Sequence, residues 1–422
     1  MRLNKLLRLS SIALISLTLS IALFLGLQSR PTTAAQKSSI LAFVALQREG
    51  SEVRSSLFTI NANGAARREL TPKIEVSSTF VWSPNGQQLA FVSGDTDIYT
   101  VNANGSRRTK QFAGEFCKAA SFEIAWFSNS QKLVFARSCD GYTSDGSGSQ
   151  SLYTSDTSGI KGTKLIRNLE VGGEPPKTEI SSALYLAPDG QQVAFVKDKN
   201  IYKMNADGSG MTKLTKSPGE YTSGGSELAW SPDRTKIAFW LGTYPKQQIY
   251  TINADGTNLK NLTNNSQNEV YSVKLFWSPD SSRIAYYQGK AGDTGGEQQD
   301  IYAIDINRGT AQNLTQKPRN YNAVSWSPDG KVIVFAAGEF NNQKLYTINA
   351  DGSNLTQLAP QLELSGIDRL PWSSDSQKIA FSFNKIQGET SNLYVINRDG
   401  SGLTKLTNNK DLNVTNPVWQ PQ

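Results

Sequence analysis

The stretch WSPDGKVIVF at residues 326–335, followed by LYTINADG at residues 345–352, decides the fold because it recurs along the chain. The period is roughly 47 residues, a size typical of one propeller blade. The first half begins at Trp82, Trp126, Leu186, Trp230, Trp277, Trp326 and Trp372, and the second at Leu57, Ile98, Leu152, Ile201, Ile249, Ile301, Leu345 and Leu393. The chain is therefore predicted to be a series of similar blades.

Each repeat reads as four short strands joined by tight turns. Pro-Asp-Gly and Ala-Asp-Gly supply residues that favour such turns, and Gly adopts positive φ without strain. No segment shows a sustained helical period of apolar residues. We therefore expect an all-β propeller of four-stranded antiparallel blades with almost no helix.

The two ends of the repeat region predict how the ring closes. Val418 and Trp419 resemble the start of an eighth tryptophan half, and residues 40–43 resemble the apolar run that should follow it. Pairing these strands in one blade would leave no open sheet edge. The spacing predicts eight blades, with seven as the alternative if the terminal strands do not join.

The first 35 residues differ in character from the rest of the chain. Arg2, Lys5 and Arg8 precede an apolar run over residues 12–27, and small residues lead up to Ala35. This is the layout of a secretory signal peptide, with an uncleaved anchor as the alternative. We expect residues 1–35 to be the signal peptide and residues 36–422 a single propeller domain. The expected location is periplasmic or secreted, with no stable membrane insertion after leader cleavage.

The charge of the chain argues against nucleic acid as a partner. The formal net charge is +7, and without the leader 39 basic residues face 36 acidic ones. A balance so close to neutral, with no basic stripe, is unlike a nucleic-acid-binding surface.

Cys117 and Cys139, the two cysteines, flank one predicted strand pair. In an oxidising compartment a disulfide between them is the favoured interpretation, with free thiols as the alternative.

Missing residue types limit the chemistry that the chain can perform. The sequence has no His and no Gly-x-Ser-x-Gly motif, which excludes Ser-His-Asp and Cys-His nucleophiles and every His-based metal site. The repeated Asn-Ala-Asp-Gly segments lack the alternating acids of a calcium loop. We therefore expect no metal, no cofactor and no enzymatic activity, although a glycosidase that needs only two carboxylates remains an alternative.

The motifs WSPDG, IAF and IYxINADG with LT resemble the WD-like repeat of TolB-type periplasmic propellers and, more distantly, the propellers of prolyl-oligopeptidase-type enzymes. The resemblance covers nearly all of residues 40–421. TolB itself implies six blades behind an amino-terminal α/β domain, for which this sequence has no room. The resemblance therefore implies a TolB-like propeller that is not TolB.

Loop lengths indicate where ligands would bind. The turns within each motif are uniform, whereas the links between strands two and three and between blades are long and varied, and both kinds emerge on one face of an up-and-down propeller. The residue three positions before each Trp enters the inner strand from that face. The resulting candidates for the channel mouth are Glu123, Glu227, Lys274 and Arg369, with Tyr221, Tyr271 and Tyr321 on the loops.

These features lead to a functional prediction. We expect a non-enzymatic binding or scaffold protein of the bacterial envelope that holds a protein or peptide at the channel mouth. A carbohydrate-binding or carbohydrate-active propeller is the alternative.

Overall fold

The computed structural model describes residues 39–49, 52–94, 96–113, 120–139, 149–156, 163–166, 184–197, 200–215, 228–241, 248–263, 274–289, 299–317, 320–339, 342–367, 369–385, 389–407 and 413–421. Residues Ile40–Gln422 form one compact unit. In the described ranges every regular element is a strand, and no helix there has the length and hydrophobicity needed to cross a membrane.

The strands follow one another without interruption by other elements. In chain order they are β1 (Ile40–Glu49), β2 (Glu52–Asn61), β3 (Arg68–Glu69), β4 (Val76–Trp82), β5 (Gln88–Ser93), β6 (Asp97–Asn102), β7 (Thr109–Phe112), β8 (Ala120–Trp126), β9 (Lys132–Cys139), β10 (Ser149–Asp156), β11 (Thr163–Ile166), β12 (Tyr185–Leu186), β13 (Gln192–Lys197), β14 (Asn200–Asn205), β15 (Thr212–Lys213), β16 (Ala229–Trp230), β17 (Lys236–Leu241), β18 (Gln248–Asn253), β19 (Lys260–Asn261), β20 (Phe276–Trp277), β21 (Arg283–Gly289), β22 (Gln299–Asp305), β23 (Ala311–Asn313), β24 (Tyr321–Trp326), β25 (Val332–Glu339), β26 (Asn342–Asn349), β27 (Thr356–Leu358), β28 (Lys378–Lys385), β29 (Glu389–Asn397), β30 (Thr404–Lys405) and β31 (Val414–Trp419).

These strands form eight antiparallel sheets, which confirms the eight-bladed propeller. Blades 1 to 6 are β4–β7, β8–β11, β12–β15, β16–β19, β20–β23 and β24–β27, in that order. Blade 7 contains β28, β29 and β30, and its inner strand is reduced to the bridge between Trp372 and Ile379. Blade 8 has the order β3-β2-β1-β31, so the last strand of the chain pairs with the first. The predicted closure by both chain ends is therefore correct.

An aromatic pair on the two middle strands forms the core of every blade. The second-strand ring is fully buried and stacks on a ring directly opposite it on the third strand, at centroid distances of 5.1 to 5.9 Å. Such pairs stabilise a sheet beyond the burial of their area. The pairs are Phe43–Phe58, Phe91–Tyr99, Phe135–Tyr153, Phe195–Tyr202, Phe239–Tyr250, Tyr286–Tyr302, Phe335–Tyr346 and Phe381–Tyr394.

The repeated tryptophan joins each blade to the blade before it. Its indole N–H donates a hydrogen bond of 3.0 to 3.3 Å to a backbone carbonyl on the inner strand of the preceding blade. The donor and acceptor pairs are Trp82–Val418, Trp126–Val81, Trp230–Tyr185, Trp277–Ala229, Trp326–Phe276, Trp372–Ser325 and Trp419–Pro371. The rings are therefore structural, as their spacing indicates, and blade 3, which carries Leu186 at this position, is the exception.

Candidate functional site

In blades 1, 6 and 8 the pairing of the inner strand is irregular near the residue that precedes its Trp by three positions, whereas at Glu123 in blade 2 the pairing is regular. In blades 6 and 8 this residue is Ala323 or Asn416, and each has a φ of +51°. The pairing register shifts at the same place, which marks a β-bulge. Bulges redirect side chains next to functional sites. The side chains of Ala323 and Asn416 therefore do not follow the regular alternation of a strand.

Glu123 lies on the inner strand of blade 2 and reaches to blade 3. Its Oε1 accepts a hydrogen bond of 3.3 Å from the backbone N–H of Leu186. Water reaches the carboxylate, but protein surrounds it, and the resulting desolvation raises its pKa to about 7 although the bond from Leu186 opposes the shift. Glu123 is thus a carboxylate between blades 2 and 3 with a pKa near neutral pH.

Arg369 lies on the segment that leads to the bridge of blade 7. Its side chain is exposed and lines a small cavity of about 50 Å³ between blades 7 and 8. Lys274, on blade 5, is exposed just before β20. The structure therefore places three of the predicted charged residues on the inner part of three different blades.

Tyr321 packs against its own blade. Its ring meets Phe335 edge to face at a centroid distance of 5.4 Å, and its hydroxyl donates a hydrogen bond to the backbone carbonyl of Lys317. The side chain is half-buried. Tyr321 has contacts typical of a structural residue.

The remaining predicted residues lie outside the described part of the chain. These are Glu227, Tyr221, Tyr271 and Cys117, and of Cys139 only the backbone, on β9, is described. Their roles, including the disulfide, stay predictions.

The opposite face carries a larger cavity that the sequence prediction missed. It measures about 520 Å³ and is lined by turns of blades 2, 3 and 4, including Phe127, Asp189 and Arg234. The side chains of Asp189 and Arg234 form an ion pair with an N–O distance of 2.5 Å. Phe127 and Ala187 stand where most repeats have Ser. The absence of this Ser from two successive repeats is visible in the sequence and could have indicated the cavity.

The acidic residues of the Asn-Ala-Asp-Gly turns are part of the turns themselves. In the turn at Asp207, Ser209 donates both its hydroxyl and its backbone N–H to the carboxylate, which lowers the pKa of Asp207. The equivalent bonds recur at Asp255, Asp351 and Asp399. In the described residues no group of three or more acidic or Cys side chains could hold a metal ion.

Comparisons with known proteins match this fold. Residues 175–366 match the TolB beta propeller domain family. Over 181 residues the chain is 25% identical to the uncharacterized peptidase YuxL of Bacillus subtilis (strain 168), which corresponds to 41% of this chain and 24% of the relative. The chain thus spans about a quarter of the length of that relative.

Solved structures share the fold at low identity. Dipeptidyl peptidase 4 of Porphyromonas gingivalis is similar with a TM-score of 0.56 and 16% identity, over 80% of this chain and 54% of that one. An oligogalacturonate lyase in complex with manganese has a TM-score of 0.52 and 16% identity, over 72% and 84% of the two chains. At this level of identity the likeness concerns the fold.

The functional prediction needs correction. A non-enzymatic scaffold was expected because His and a serine elbow are missing, but the proteins similar to this chain include peptidases and a lyase. The absence of His and of a serine elbow excludes a Ser-His-Asp site within this sequence. It does not exclude that the chain takes part in an enzyme. The prediction of no enzymatic role is therefore wrong.

The family match and the ring of blades agree on the type of propeller. The matched residues include blades 3 to 6, and the same aromatic pairs and turns continue through the other blades. The chain is a TolB-like β-propeller.

Proposed function

We propose that this propeller is the substrate-selecting part of a peptidase-type enzyme and that it holds peptides at the mouth of its channel. The similarity to a peptidase over 181 residues carries this proposal. The peptidase fold of dipeptidyl peptidase 4 supports it at the level of architecture.

The distribution of charge around the channel supports a peptide as the ligand. In a ring of eight, blade 6 lies opposite blade 2, and the flanking blades 5 and 7 carry Lys274 and Arg369. Glu123 stands on blade 2. A short peptide has a positive amino end and a negative carboxyl end, so it can align with an acid on one wall and bases on the other.

The chain's own residues would bind and orient the peptide. Glu123 would accept hydrogen bonds from an amino group, and it does so best above pH 7, where its carboxylate is charged. Holding a substrate in a fixed orientation contributes strongly to catalysis. Because the sequence has no His, hydrolysis by a Ser-His-Asp mechanism would need a partner subunit or domain that supplies the base.

The predicted periplasmic or secreted location is part of the proposal. It rests on the basic start and the apolar run of residues 1–35. Amino-terminal sequencing of the protein recovered from separated cell fractions checks it, and a chain that starts at Met1 in the cytoplasmic fraction would contradict it.

The proposed function is tested by comparing the short peptides of cells that contain the gene with those of cells that lack it. We expect peptides with free ends to accumulate in the deletion strain and to return to normal when the gene is restored. Restoration with Glu123→Gln should be incomplete. An unchanged peptide population in the deletion strain would overturn the peptidase role.

A further inference from the structure

The small cavity beside Arg369 lies where the inner strand of blade 7 is reduced to a single bridge in the described residues. Pro371 has no N–H to donate to a sheet, and in the described residues of this blade the inner bridge joins Trp372 to Ile379. The preceding segment is held by blade 6 instead, where Gln343 accepts a bond from the backbone N–H of Ile367 at 3.0 Å. A space is therefore left between this segment, β28 and β31.

Three polar side chains with hydrogen-bond donors line this space. Arg369, Ser382 and Thr415 border the cavity, and within the described ranges their side chains make no hydrogen bond or ion pair. Arg369 and Thr415 are exposed, and Ser382 is half-buried. A guanidinium and two hydroxyls thus face one small cavity as available donors.

The cavity suits an anion of limited size. The described residues that line it include no acidic side chain. Its volume of about 50 Å³ compares with the roughly 10–15 Å³ that one water molecule needs by this measure. A planar carboxylate fits that room, and a guanidinium binds it through two parallel hydrogen bonds.

The far wall of the cavity is fixed in position. The Ser391 hydroxyl donates to the carbonyl of Val414 at 2.8 Å and accepts from its N–H at 2.7 Å, which ties blade 7 to the inner strand of blade 8. The amide of Asn416 donates to the carbonyl of Ser78 on blade 1 at 3.3 Å. Phe383, only 3% exposed, provides an apolar floor. Such a wall loses little freedom when a ligand binds.

We propose that this cavity, with Arg369 as its main ligand, binds the terminal carboxylate of a peptide substrate. The inference rests on the proposed function, and it adds the direction in which the peptide lies. The carboxyl end is held at blades 7 and 8, and the amino end extends toward Glu123 on blade 2. Arg369 and its neighbours are binding residues, and none takes part in breaking the peptide bond.

Calorimetric titration with three peptides tests the inference. Two peptides have the same five-residue sequence without acidic side chains and end in a free carboxylate or in an amide. The third is the amide with Asp in place of its last residue. We expect the free acid to bind the full chain at least ten-fold more tightly than either amide. Equal binding of the Asp amide and the free acid would overturn the assignment to a chain terminus.

Variants of the cavity locate the effect. Arg369→Gln should reduce the affinity for the free acid to that for the amide, Arg369→Lys should keep part of the preference, and Thr415→Val should weaken it. Arg308→Gln, an exposed site on the outer turn of blade 5, is the matched control and should change nothing. Melting temperatures confirm that each variant is folded.

The outcomes separate this inference from the proposed function. If peptides bind but the acid and the amide bind equally, or if Arg369→Gln keeps the preference, the carboxylate site is wrong while the peptide-binding role stands. If no peptide binds, the proposed function fails and this inference fails with it.

Discussion

Oε1 of Glu123 accepts a hydrogen bond from the backbone N–H of Leu186, 3.3 Å away on the next blade. This is the seam at which the repeat has Leu in place of Trp, so the indole bond that joins other blades is missing here. At this seam the Glu123 carboxylate accepts a hydrogen bond from the next blade, where other seams have the indole bond.

The first prediction concerns the dependence of stability on pH at this seam. The pKa of Glu123 is about 7 in the folded protein and 4.5 as its ordinary value, so between these values the native state binds more protons than the unfolded state. Stability should therefore fall as the pH rises from about 4.5 to about 7. Glu123→Gln removes this loss, because Gln is neutral and its side-chain oxygen can still accept the bond from Leu186.

Thermal melting at several pH values measures the effect. We expect Glu123→Gln to melt above the wild type at pH 8 and with it at pH 4, with a modest difference because water reaches the carboxylate. Glu339→Gln, at an exposed carboxylate on blade 6, is the control. A variant that is less stable than the wild type at pH 8 would show that the charge stabilises the seam.

The repeat predicts the fold well because each blade has the same order of strand and turn motifs. Strand order, the stacked pairs such as Phe335 and Tyr346 and the closure by Trp419 all follow from spacing and alternation. The bulges at Ala323 and Asn416 could not be predicted, since neither Ala nor Asn is specific to a bulge and only the structure reveals the positive φ.

The channel site could be predicted only in part. Counting back from Trp located Glu123 on an inner strand and Arg369 on the segment before the bridge of blade 7, but it could not show that Glu123 bonds to Leu186 or that a cavity lies beside Arg369. Those features depend on contacts between blades, which a repeat within one blade does not encode. Tyr321 was predicted to contact a ligand, but its ring packs on Phe335 in the same blade.

The second prediction compares two glycines at the same turn position. Gly190 and Gly330 both have a φ of +68°, but a Cβ on Gly190 would lie 2.7 Å from the carbonyl oxygen of Trp126, whereas the nearest atom to one on Gly330 is 3.9 Å away. Gly330→Ala should cost roughly 1 kcal/mol for backbone strain. Gly190→Ala should cost at least twice that, since backbone of blade 2 must move.

Urea denaturation of the two alanine variants measures the difference. Gly330→Ala is the control for strain alone, and Ser130, which has a φ of +58° at this position of blade 2, shows that a side chain can be accommodated. Equal losses of unfolding free energy in both variants would contradict the predicted clash.

The third prediction concerns the Ser that most repeats place directly after the Trp of the motif. The Ser231 hydroxyl donates to Asp233 at 2.6 Å and accepts from the N–H of Lys236 at 2.9 Å. Ser231→Ala removes both bonds and should reduce the unfolding free energy by about 1–2 kcal/mol.

Blade 3 offers the reverse change as a control. Ala187 is 1% exposed at the equivalent position, and Ala187→Ser would place a donor beside Asp189. We expect this variant to be at least as stable as the wild type by urea denaturation. If Ser231→Ala and Ala187→Ser lose similar amounts of unfolding free energy, the hydrogen bonds of the hydroxyl contribute nothing to stability.

The fourth prediction concerns the closure of the ring by the last strand. β31 pairs with β1, and the Trp419 indole N–H donates to the carbonyl of Pro371 at 3.0 Å. Trp419→Phe keeps an aromatic ring and loses this bond, which should cost about 1 kcal/mol. Deletion of residues 414–422 also exposes the edge of β1, and exposed edges promote pairing between molecules.

Urea denaturation and light scattering distinguish the two changes. The deletion should lower the denaturation midpoint far more than Trp419→Phe and should produce aggregates at concentrations at which the point variant stays monodisperse. After the deletion blade 8 would retain β1, β2 and β3. The difference in unfolding free energy between the full chain and the deleted protein therefore measures how much of the stability depends on closure. A deleted protein with the midpoint of the full chain would show that seven blades and an incomplete eighth are already a stable ring.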